Sequence, residues 1–325
     1  MTMHALTVPV GFQISAASEF LRGFIPGAGM APALADPLIL AFRLEGGGWE
    51  PAAVALRQPG ERALEAEVSE GADAERALAV VRRVLGLDAP DPAGWLALGK
   101  KVPVLGALQR EFPGFFTVAK PSPYDAGLWG VLATRISMPQ AAKMRLSLTE
   151  RCGDDVRVAG RVVRVGPDPR RVVELRSVPG IPEERLRRAV AVSAAALEGK
   201  LEAARLRSMP EAAALAELRE IHGVGPWTAA HILYRGAAPH DGLPLEEPRV
   251  LNGYADAAGL RQAPSAEAFA GAAEAWRPFR MWACILLARH LNAAGKWQLP
   301  AAEAARRGRR VGASGPGAPG TPAAA

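Results

Sequence analysis

The segment that most constrains the fold is a short run in which two glycines and a proline separate two helical patterns. It reads Leu218-Arg-Glu-Ile-His-Gly-Val-Gly-Pro-Trp-Thr-Ala-Ala230. A helix is expected to end at Ile221, and Gly223 and Gly225 then permit a tight turn, because glycine adopts backbone conformations that other residues avoid. Pro226 suits the first position of a second helix, since its ring fixes φ near the helical value. The segment therefore predicts two helices joined by a short hairpin.

A hairpin of this kind has a chemical use. Backbone N–H groups at the start of the second helix attract anions, and glycines let another backbone approach closely. The arrangement can hold a DNA phosphate without reading the base sequence. The simpler alternative is a plain turn with a glycine cap, which a lone Gly-x-Gly does not exclude. On the first interpretation, the DNA contacts come from His222, Gly223, Val224, Gly225 and Thr228.

The chain has different patterns before and after residue 88. Residues 1–87 alternate short apolar stretches with turn clusters, and residues 62–68 alternate apolar and polar side chains as a half-buried strand does. These features predict a small antiparallel α+β domain. From residue 88 onward the pattern is helical with short connections, beginning strongly at Ser122 and Pro123. The expected fold class is therefore mainly α, with a small N-terminal antiparallel sheet.

Composition narrows the class of protein without assigning a function. The 325 residues have a formal net charge of +6, which permits nucleic-acid binding and does not prove it. Two cysteines, Cys152 and Cys284, exclude a disulfide scaffold, a four-cysteine zinc site and an iron–sulfur cluster. The longest apolar run, Met281–Ala288, is too short for a membrane span, and the N-terminus lacks secretory features, so a cytoplasmic protein is expected. Residues 301–325 are low in complexity and are expected to form a disordered basic tail.

Four further motifs lie in order around the hairpin. Two of them precede the hairpin: Trp129–Ser137, and the pair Leu175–Ile181 with Ala196–Leu201. The other two follow it: Asp241–Val250 and Trp276–Ala283. Together with the hairpin, these motifs resemble the helix-hairpin-helix DNA glycosylases, and within them the 3-methyladenine DNA glycosylase II branch. The resemblance covers roughly residues 88–295, and the N-terminal sheet also fits this branch.

The resemblance implies a monomeric enzyme of base excision repair that binds double-stranded DNA, flips out a damaged base and hydrolyses its N-glycosidic bond. Alkylated bases are the expected substrates, and no cofactor is expected. The resemblance also implies two helical subdomains with the active-site cleft between them. Residues 88–118 with 241–300 would hold the catalytic loop, and residues 119–240 the hairpin. In the family, hairpin carbonyls, here those of Ile221 and Val224, commonly hold a monovalent cation.

The catalytic position is where this sequence departs from the family pattern. The family has an Asp six residues after the Asp that opens the loop, and counting from Asp241 gives Glu247. Pro248 would make Glu247 the N-cap of the next helix, whose dipole favours an ionised carboxylate. Glu247 is thus the expected catalytic residue, with Glu246 as its rival; a solvated acidic loop is the alternative. Asp241 is expected to bond to loop backbone.

On the family's pattern the base pocket contains Trp227, His231 and Trp129. Trp227 stands where strand-cleaving relatives have a lysine, and because an indole cannot form a Schiff base, no lyase activity is expected. For Trp227 the alternative is packing of the hairpin, and for His231 it is a structural histidine. Arg135 falls at the position that fills the gap left by a flipped base; an ordinary surface arginine is the alternative.

Two other functions stay open. One is a sensor that binds damaged DNA without cutting it, since Glu replaces the family's Asp. The other is a glycosylase for oxidised or deaminated bases, because this fold supports several chemistries.

Overall fold

The computed structural model describes residues 3–24, 37–245 and 247–295. The rival carboxylate Glu246 and the predicted basic tail, residues 301–325, lie outside the described residues. The described part contains fourteen α-helices and two antiparallel sheets. The expected fold class, mainly α with an N-terminal antiparallel sheet, is confirmed.

The N-terminal part is a four-stranded sheet with two helices. Its elements in chain order are β1 (Met3–Thr7), α1 (Ile14–Phe24), β2 (Leu38–Arg43), β3 (Pro51–Gly60), β4 (Ala63–Val68) and α2 (Ala74–Val84). The strand order is β1-β4-β3-β2, and all neighbours are antiparallel. Strand β4 shows the predicted alternation from Leu64 to Ala66, which are buried on either side of the exposed Glu65. The alternation ends at Glu67, which is buried and accepts a hydrogen bond from the Ala159 N–H at 2.7 Å.

The rest of the chain is an array of helices with short connections. Its helices are α3 (Gly94–Lys101), α4 (Pro103–Glu111), α5 (Pro123–Ala133), α6 (Met138–Cys152), α7 (Pro169–Val172), α8 (Glu183–Leu197), α9 (Ala203–Ser208), α10 (Glu211–Arg219), α11 (Pro226–His231), α12 (Pro248–Ala257), α13 (Ala266–Ala273) and α14 (Arg280–Ala293). The predicted start of α5 is confirmed, since the Ser122 hydroxyl accepts a hydrogen bond from the Asp125 N–H at 2.9 Å. Helix α11 continues directly into a π-helical turn, Ile232–Ala237.

A β-hairpin that the sequence patterns did not predict interrupts the helical part. Strands β5 (Asp154–Val158) and β6 (Arg161–Val165) pair antiparallel across a turn at Ala159 and Gly160. The hairpin packs on β2 and β3, and Val158 joins a small apolar cluster with Ile39 of the sheet. An isolated two-stranded hairpin is marginal in water, so this contact with the sheet stabilises it.

Arg43 links the sheet to this hairpin. Its side chain is 3% exposed and pairs with Asp154, while Asp168 lies 3.7 Å from its Nη1. Arg43 Nε also donates to the Gly166 carbonyl at 2.9 Å, and Nη1 donates to the Trp49 carbonyl at 3.0 Å. A buried guanidinium needs both a countercharge and acceptors for its N–H groups, and Arg43 has both.

One continuous hydrophobic core runs from the N-terminal sheet to α14. It includes the fully buried rings of Trp95, Trp276 and Trp282. The division into residues 1–87, 88–118 with 241–300, and 119–240 stays a prediction. In the part of the chain that the structure describes, no helix is both long and apolar enough to cross a membrane.

The close packing of α12 on α14 sets the position of the loop that precedes α12. Gly253 of α12 lies so near α14 that a Cβ there would meet the Leu287 carbonyl oxygen at 2.4 Å. Only glycine allows this approach of the two backbones. The first turn of α12, which begins beside Glu247, is therefore held against a buried helix.

Candidate active site

The predicted hairpin joins α10 to α11. Ile221 and Val224 are buried, which fixes the turn on the core, while Gly225 is exposed. Gly223 has a φ of +83°, and a Cβ there would lie 2.2 Å from Arg188 Cγ. A Cβ on Gly225 would meet nothing within 4 Å. Gly223 thus builds the turn, whereas Gly225 leaves open space in front of the backbone.

The start of α11 has the geometry expected of an anion site. The N–H groups of Trp227 and Thr228 belong to the first helical turn, where no intrahelical acceptor exists. The Thr228 side chain is buried against Gly130 of α5, so its predicted DNA contact is limited to the backbone. His222 is exposed, with Nε2 3.4 Å from Glu184. The Ile221 carbonyl, a predicted cation ligand, accepts from the Val224 N–H at 2.9 Å.

Asp241, which opens the loop before α12, is anchored by two arginines. Arg280 donates from Nε to Oδ1 at 2.9 Å and from Nη2 to Oδ2 at 3.0 Å. Arg277 pairs with the same carboxylate, and Arg280 Nη2 also donates to the Asp241 carbonyl at 2.9 Å. The expectation that Asp241 bonds to loop backbone is therefore wrong. Its carboxylate instead ties the loop to the segment that leads into α14.

Glu247 is the N-cap of α12, as Pro248 predicts. Its Oε1 accepts from the Arg249 backbone N–H at 3.2 Å and from Arg249 Nε at 2.9 Å. Its Oε2 accepts from Trp227 Nε1 at 3.1 Å and from Arg249 Nη2 at 3.2 Å. The longer glutamate side chain thus folds back over the start of its own helix. Arg249 of α12 holds both carboxylate oxygens, and Trp227 of α11 adds a second donor to Oε2.

The surroundings of Glu247 favour the ionised form of its carboxylate. Its side chain is 18% exposed. This burial raises the pKa of Glu247, but the hydrogen bonds and charge of Arg249, with the Trp227 indole, outweigh burial and hold the pKa below its ordinary value. A fixed negative charge in a largely dry site interacts strongly with a positive charge formed beside it.

Trp227 and His231 form a stacked pair on successive turns of α11. Their ring centroids lie 5.1 Å apart with an interplanar angle of 14°. Burial, reinforced by the positive charges of Lys120, Arg235 and Arg249, lowers the pKa of His231 well below its ordinary value. The His231 ring is therefore neutral at pH 7, and the pair presents an uncharged aromatic surface.

A cavity of about 240 Å³ lies between α11, the π-helical turn, the loop before α12 and α14. Three of the predicted site residues line it together: Trp227, His231 and Glu247. Trp129, the third predicted pocket residue, is not among the described lining residues. It is buried in α5, with Lys120 Nζ 5.7 Å from its ring centroid. The hairpin motif, the expected carboxylate and the stacked aromatic pair thus converge on one cavity.

Arg135 lies in the tight turn between α5 and α6. It is exposed and has a φ of +59°, a conformation that costs a non-glycine residue roughly 1–2 kcal/mol. Arg185 holds the preceding turn by donating to the carbonyls of Leu132 and Thr134, both at 2.8 Å. A strained, exposed arginine in a turn that Arg185 braces fits the predicted contact with DNA.

The cavity wall also contains residues that the sequence did not place at the site, among them Phe20, Arg235, Arg249 and Arg289. The sequence could have indicated a special role for Arg249, because a basic residue in the first turn of a helix opposes the helix dipole. The sequence could have indicated Arg289 as well, because it is a charged residue within the apolar pattern of α14. Phe20 comes from α1, far away in sequence, and nothing near it in the chain indicates a pocket.

Comparisons with known proteins agree with this architecture. The DNA-3-methyladenine glycosylase of Bacillus subtilis (strain 168) is 22% identical over 198 residues, which are 60% of this chain and 65% of that protein. The 3-methyladenine DNA-glycosylase from Archaeoglobus fulgidus has a TM-score of 0.69 at 19% identity, over 89% of this chain and 97% of that chain. The DNA-bound 8-oxoguanine glycosylase/lyase of Clostridium acetobutylicum has a TM-score of 0.54 at 16% identity, over 74% of this chain and 82% of that chain.

These similarities establish the fold. No family model matches the sequence. The match to the Bacillus protein spans slightly less than two thirds of that protein's length. The chain shares the fold of the two glycosylase structures, as the sequence motifs predict.

Proposed function

We propose that this chain, whose fold is that of the helix-hairpin-helix DNA glycosylases, removes alkylated bases from DNA as a monofunctional enzyme of base excision repair. One observation carries the proposal. A partly buried, ionised carboxylate, that of Glu247, is held by Trp227 and Arg249 at the wall of a cavity beside the hairpin. The names of the Bacillus and Archaeoglobus proteins support alkylated bases as the substrate.

The reaction is a hydrolysis. The bond between the sugar C1′ and the base nitrogen breaks, and its electron pair leaves with the base. Water adds its oxygen to C1′ and loses a proton, so the products are a free base and an abasic site. An alkylated purine is already cationic and leaves as a neutral molecule, which makes the first step easier.

Glu247 would stabilise the sugar as positive charge develops on it. A fixed carboxylate needs no reorganisation when that charge appears, and removal of one such electrostatic group from an active site costs about 10²–10³-fold in rate. The Trp227 donor and the Arg249 clamp fix where the negative charge lies. Arg249 also neutralises part of that charge. The ion pair therefore fixes the position of the Glu247 carboxylate but weakens its attraction for the sugar cation.

DNA binding would use the hairpin and Arg135. The N–H groups at the start of α11 and the open space before Gly225 suit a phosphate, which positions the duplex without reading sequence. Arg135 would enter the gap left by the flipped base. Double-stranded DNA with a damaged base is the proposed partner, bound by a monomer. A DNA substrate also supports the predicted cytoplasmic location.

The chemistry would stop at the abasic site. Strand cleavage needs an amine that forms a Schiff base with the sugar. Trp227 occupies the position of that lysine in strand-cleaving relatives, and its indole nitrogen donates to Glu247. No lysine is among the described residues that line the cavity.

The proposal is tested with DNA methylated by a simple alkylating agent. Wild-type protein should release free methylated bases, measured by chromatography, and leave abasic sites that break only in alkali. Glu247→Gln should release them far more slowly. If wild-type protein binds this DNA tightly and releases no base, the protein is a damage sensor and the proposed activity is wrong.

A further inference from the structure

Helix α8 contacts both proposed DNA-binding segments, the Arg135 turn and the hairpin, through one arginine each. Arg185 Nη2 donates to the Thr134 carbonyl at 2.8 Å and so braces the turn that contains Arg135. Arg188 lies one turn further along the helix, and its side chain packs against Gly223 of the hairpin. Residues three apart on a helix share a face. One face of α8 therefore connects the Arg135 turn with the hairpin.

The shape of the hairpin fixes the stem of Arg188. Gly223 has a φ of +83°, and a Cβ at this position would overlap the Cβ, Cγ and Cδ atoms of Arg188. The glycine thus leaves the space that the arginine stem occupies. Packing of the apolar stem leaves the guanidinium beside the hairpin, with the side chain 30% exposed.

The guanidinium of Arg188 has donors that the protein does not use. Its Nε donates to Glu184 Oε1 at 2.9 Å. Its Nη1 and Nη2 have no acceptor among the residues that the structure describes. Arg185 differs, because both of its terminal nitrogens donate to backbone carbonyls. The planar edge formed by Nη1 and Nη2 of Arg188 matches two oxygens of a phosphate.

Positive charge outweighs negative charge on this part of α8. Its first two turns contain three arginines and two glutamates: Arg185, Arg187, Arg188, Glu183 and Glu184. The Glu184 carboxylate is shared, since it also pairs with Arg187 at 2.6 Å and lies 3.4 Å from His222 Nε2. Burial and the nearby charge of Arg188 lower the pKa of Arg185, which indicates that the two guanidinium groups are close. Positive charge gathered beside the hairpin attracts an anion such as a DNA phosphate.

We propose that Arg188 binds a DNA backbone phosphate next to the phosphate held by the hairpin, on the side toward the Arg135 turn. The inference rests on the proposed function, because its ligand is the DNA that the enzyme would repair. Two adjacent phosphate contacts fix the direction of the strand as well as its position. Arg188 is thus a positioning residue, which sets the register in which a flipped nucleotide meets Glu247.

The experiment measures DNA binding separately from catalysis. The probe is a duplex with one tetrahydrofuran residue, a stable analogue of an abasic site that has no glycosidic bond to cleave. Fluorescence anisotropy gives Kd at several KCl concentrations for wild type, Arg188→Met, Arg188→Lys and the control Arg187→Met. Arg188→Met keeps the stem beside Gly223 and removes the guanidinium. The control removes an arginine that pairs with the same Glu184 and is 62% exposed.

Arg188→Met should weaken binding about tenfold at low salt, because it removes charge-assisted hydrogen bonds. It should also lower the slope of log K against log salt by about 0.9, the share of one phosphate. Arg188→Lys keeps the charge and should keep most of the slope, but it should recover only part of the affinity because an ammonium lacks the planar fork. Arg187→Met should change the slope by less than about half as much as Arg188→Met.

A second measurement locates the contact on the DNA. One phosphate of the probe at a time is replaced by a neutral methylphosphonate. Wild type should lose affinity at the phosphate that Arg188 binds, and Arg188→Met should be insensitive to replacement of that phosphate alone. Gly225→Ala should instead become insensitive at the adjacent phosphate, where the hairpin binds.

The outcomes separate this site from the glycosylase activity. Folded Arg188→Met with the wild-type Kd and salt slope overturns the proposal, and so does an equal loss in Arg187→Met. If Arg188→Met does not fold, Arg188→Lys decides: a methylphosphonate scan identical to that of wild type refutes the contact. Wild type that binds the probe through Arg188 but releases no base from methylated DNA refutes only the glycosylase activity. Base release together with unchanged binding by Arg188→Met refutes only the phosphate site.

Discussion

The indole Nε1 of Trp227 lies 3.1 Å from Oε2 of Glu247 and donates a hydrogen bond to it. This bond connects α11, which follows the hairpin, with the N-cap of α12, which ends the loop. The element proposed to hold the DNA backbone and the element proposed to act on the sugar are thereby fixed relative to each other. Trp227 has two uses at once, since its face stacks on His231 and its edge orients the carboxylate.

Trp227→Phe should separate these two uses. Phenylalanine keeps an aromatic face beside His231 and removes the donor to Glu247. Because that donor favours the ionised carboxylate, its loss raises the pKa of Glu247, so the acid limb of the kcat/KM profile should move to higher pH by up to about one unit. The rate at neutral pH should fall about three- to tenfold. Trp129 is not among the described residues that line the cavity, so Trp129→Phe should leave the pH dependence of kcat/KM unchanged.

Glu247→Gln should slow base release strongly and leave DNA binding intact or tighter, because the shape is kept and the charge is lost. The expected fall is about 10²–10³-fold in single-turnover rate. Glu211→Gln is the matched control: this carboxylate lies at the same cavity and accepts from the Tyr234 hydroxyl at 2.8 Å, yet its loss should have a small effect.

Glu247→Asp distinguishes a site built for glutamate from a decayed one. The aspartate carboxylate would sit about 1.5 Å further back, where a misplacement of ~1 Å can cost ~10²-fold. The variant should therefore lose much of the activity. A rate equal to or above that of wild type contradicts this. If Glu246→Gln, but not Glu247→Gln, removes base release, the loop register is off by one residue.

Acid should destabilise the protein through His231. Its folded pKa is lowered, so between that value and the unfolded value of about 6.5 the unfolded state binds the proton and the folded state does not. This part of the stability is complete above about pH 6.5 and falls below it by up to about 1.4 kcal/mol per pH unit. His231→Phe keeps an aromatic ring against Trp227 and should flatten the loss. Urea unfolding at several pH values measures it, and equal slopes for the two proteins would refute the assignment.

The two hairpin glycines should respond differently to alanine. Gly225→Ala should stay folded, since a Cβ there meets nothing within 4 Å, but it should weaken DNA binding for unrelated sequences. Gly223→Ala should lose about 1–3 kcal/mol of stability, because φ is +83° and the Cβ would press on Arg188. Thermal unfolding and binding titrations test both. Unchanged binding by folded Gly225→Ala would remove the hairpin as the phosphate anchor.

Borohydride should trap no covalent adduct with DNA during turnover. The cavity's described lining contains no lysine. Lys120 is partly buried, with its Nζ 3.5 Å from Asp125 and 5.7 Å from the centroid of the Trp129 ring. Burial lowers the pKa of Lys120, which by itself favours a nucleophilic amine, so Lys120→Gln is the decisive control. An adduct that disappears in Lys120→Gln would mean that the enzyme cleaves strands.

Much of the fold could be predicted because its local signals agree with one another. Ser122 before Pro123, and Pro226 after two glycines, each predict a helix start that the structure confirms. The β5–β6 hairpin was missed although Val156 and Val158 alternate with charged residues before Ala159-Gly160. Its strands are short, and their stability comes from Arg43 and Ile39, more than a hundred residues away in sequence. A pattern within one segment does not reveal such a partner.

The site divides in the same way. The N-cap position of Glu247 follows from Pro248, so it could be predicted. The arginines could not be placed from spacing alone, because Arg249 and Arg289 reach the cavity from helices that meet only in three dimensions. Asp241 shows the limit most clearly: turn chemistry predicted a backbone partner, and the actual partners are Arg277 and Arg280.

Glu247 is at once the proposed catalytic carboxylate and the cap of α12. Loss of a cap costs a protein about 0.5–2 kcal/mol, and here Arg249 would also lose its countercharge. A substitution of Glu247 that inactivates the enzyme therefore also lowers the fraction of protein that is folded. In a population, inactive alleles of this kind would be removed faster than the loss of repair alone predicts. A glutamate retained at this position in a well-folded homologue would then be explained by stability as well as by activity.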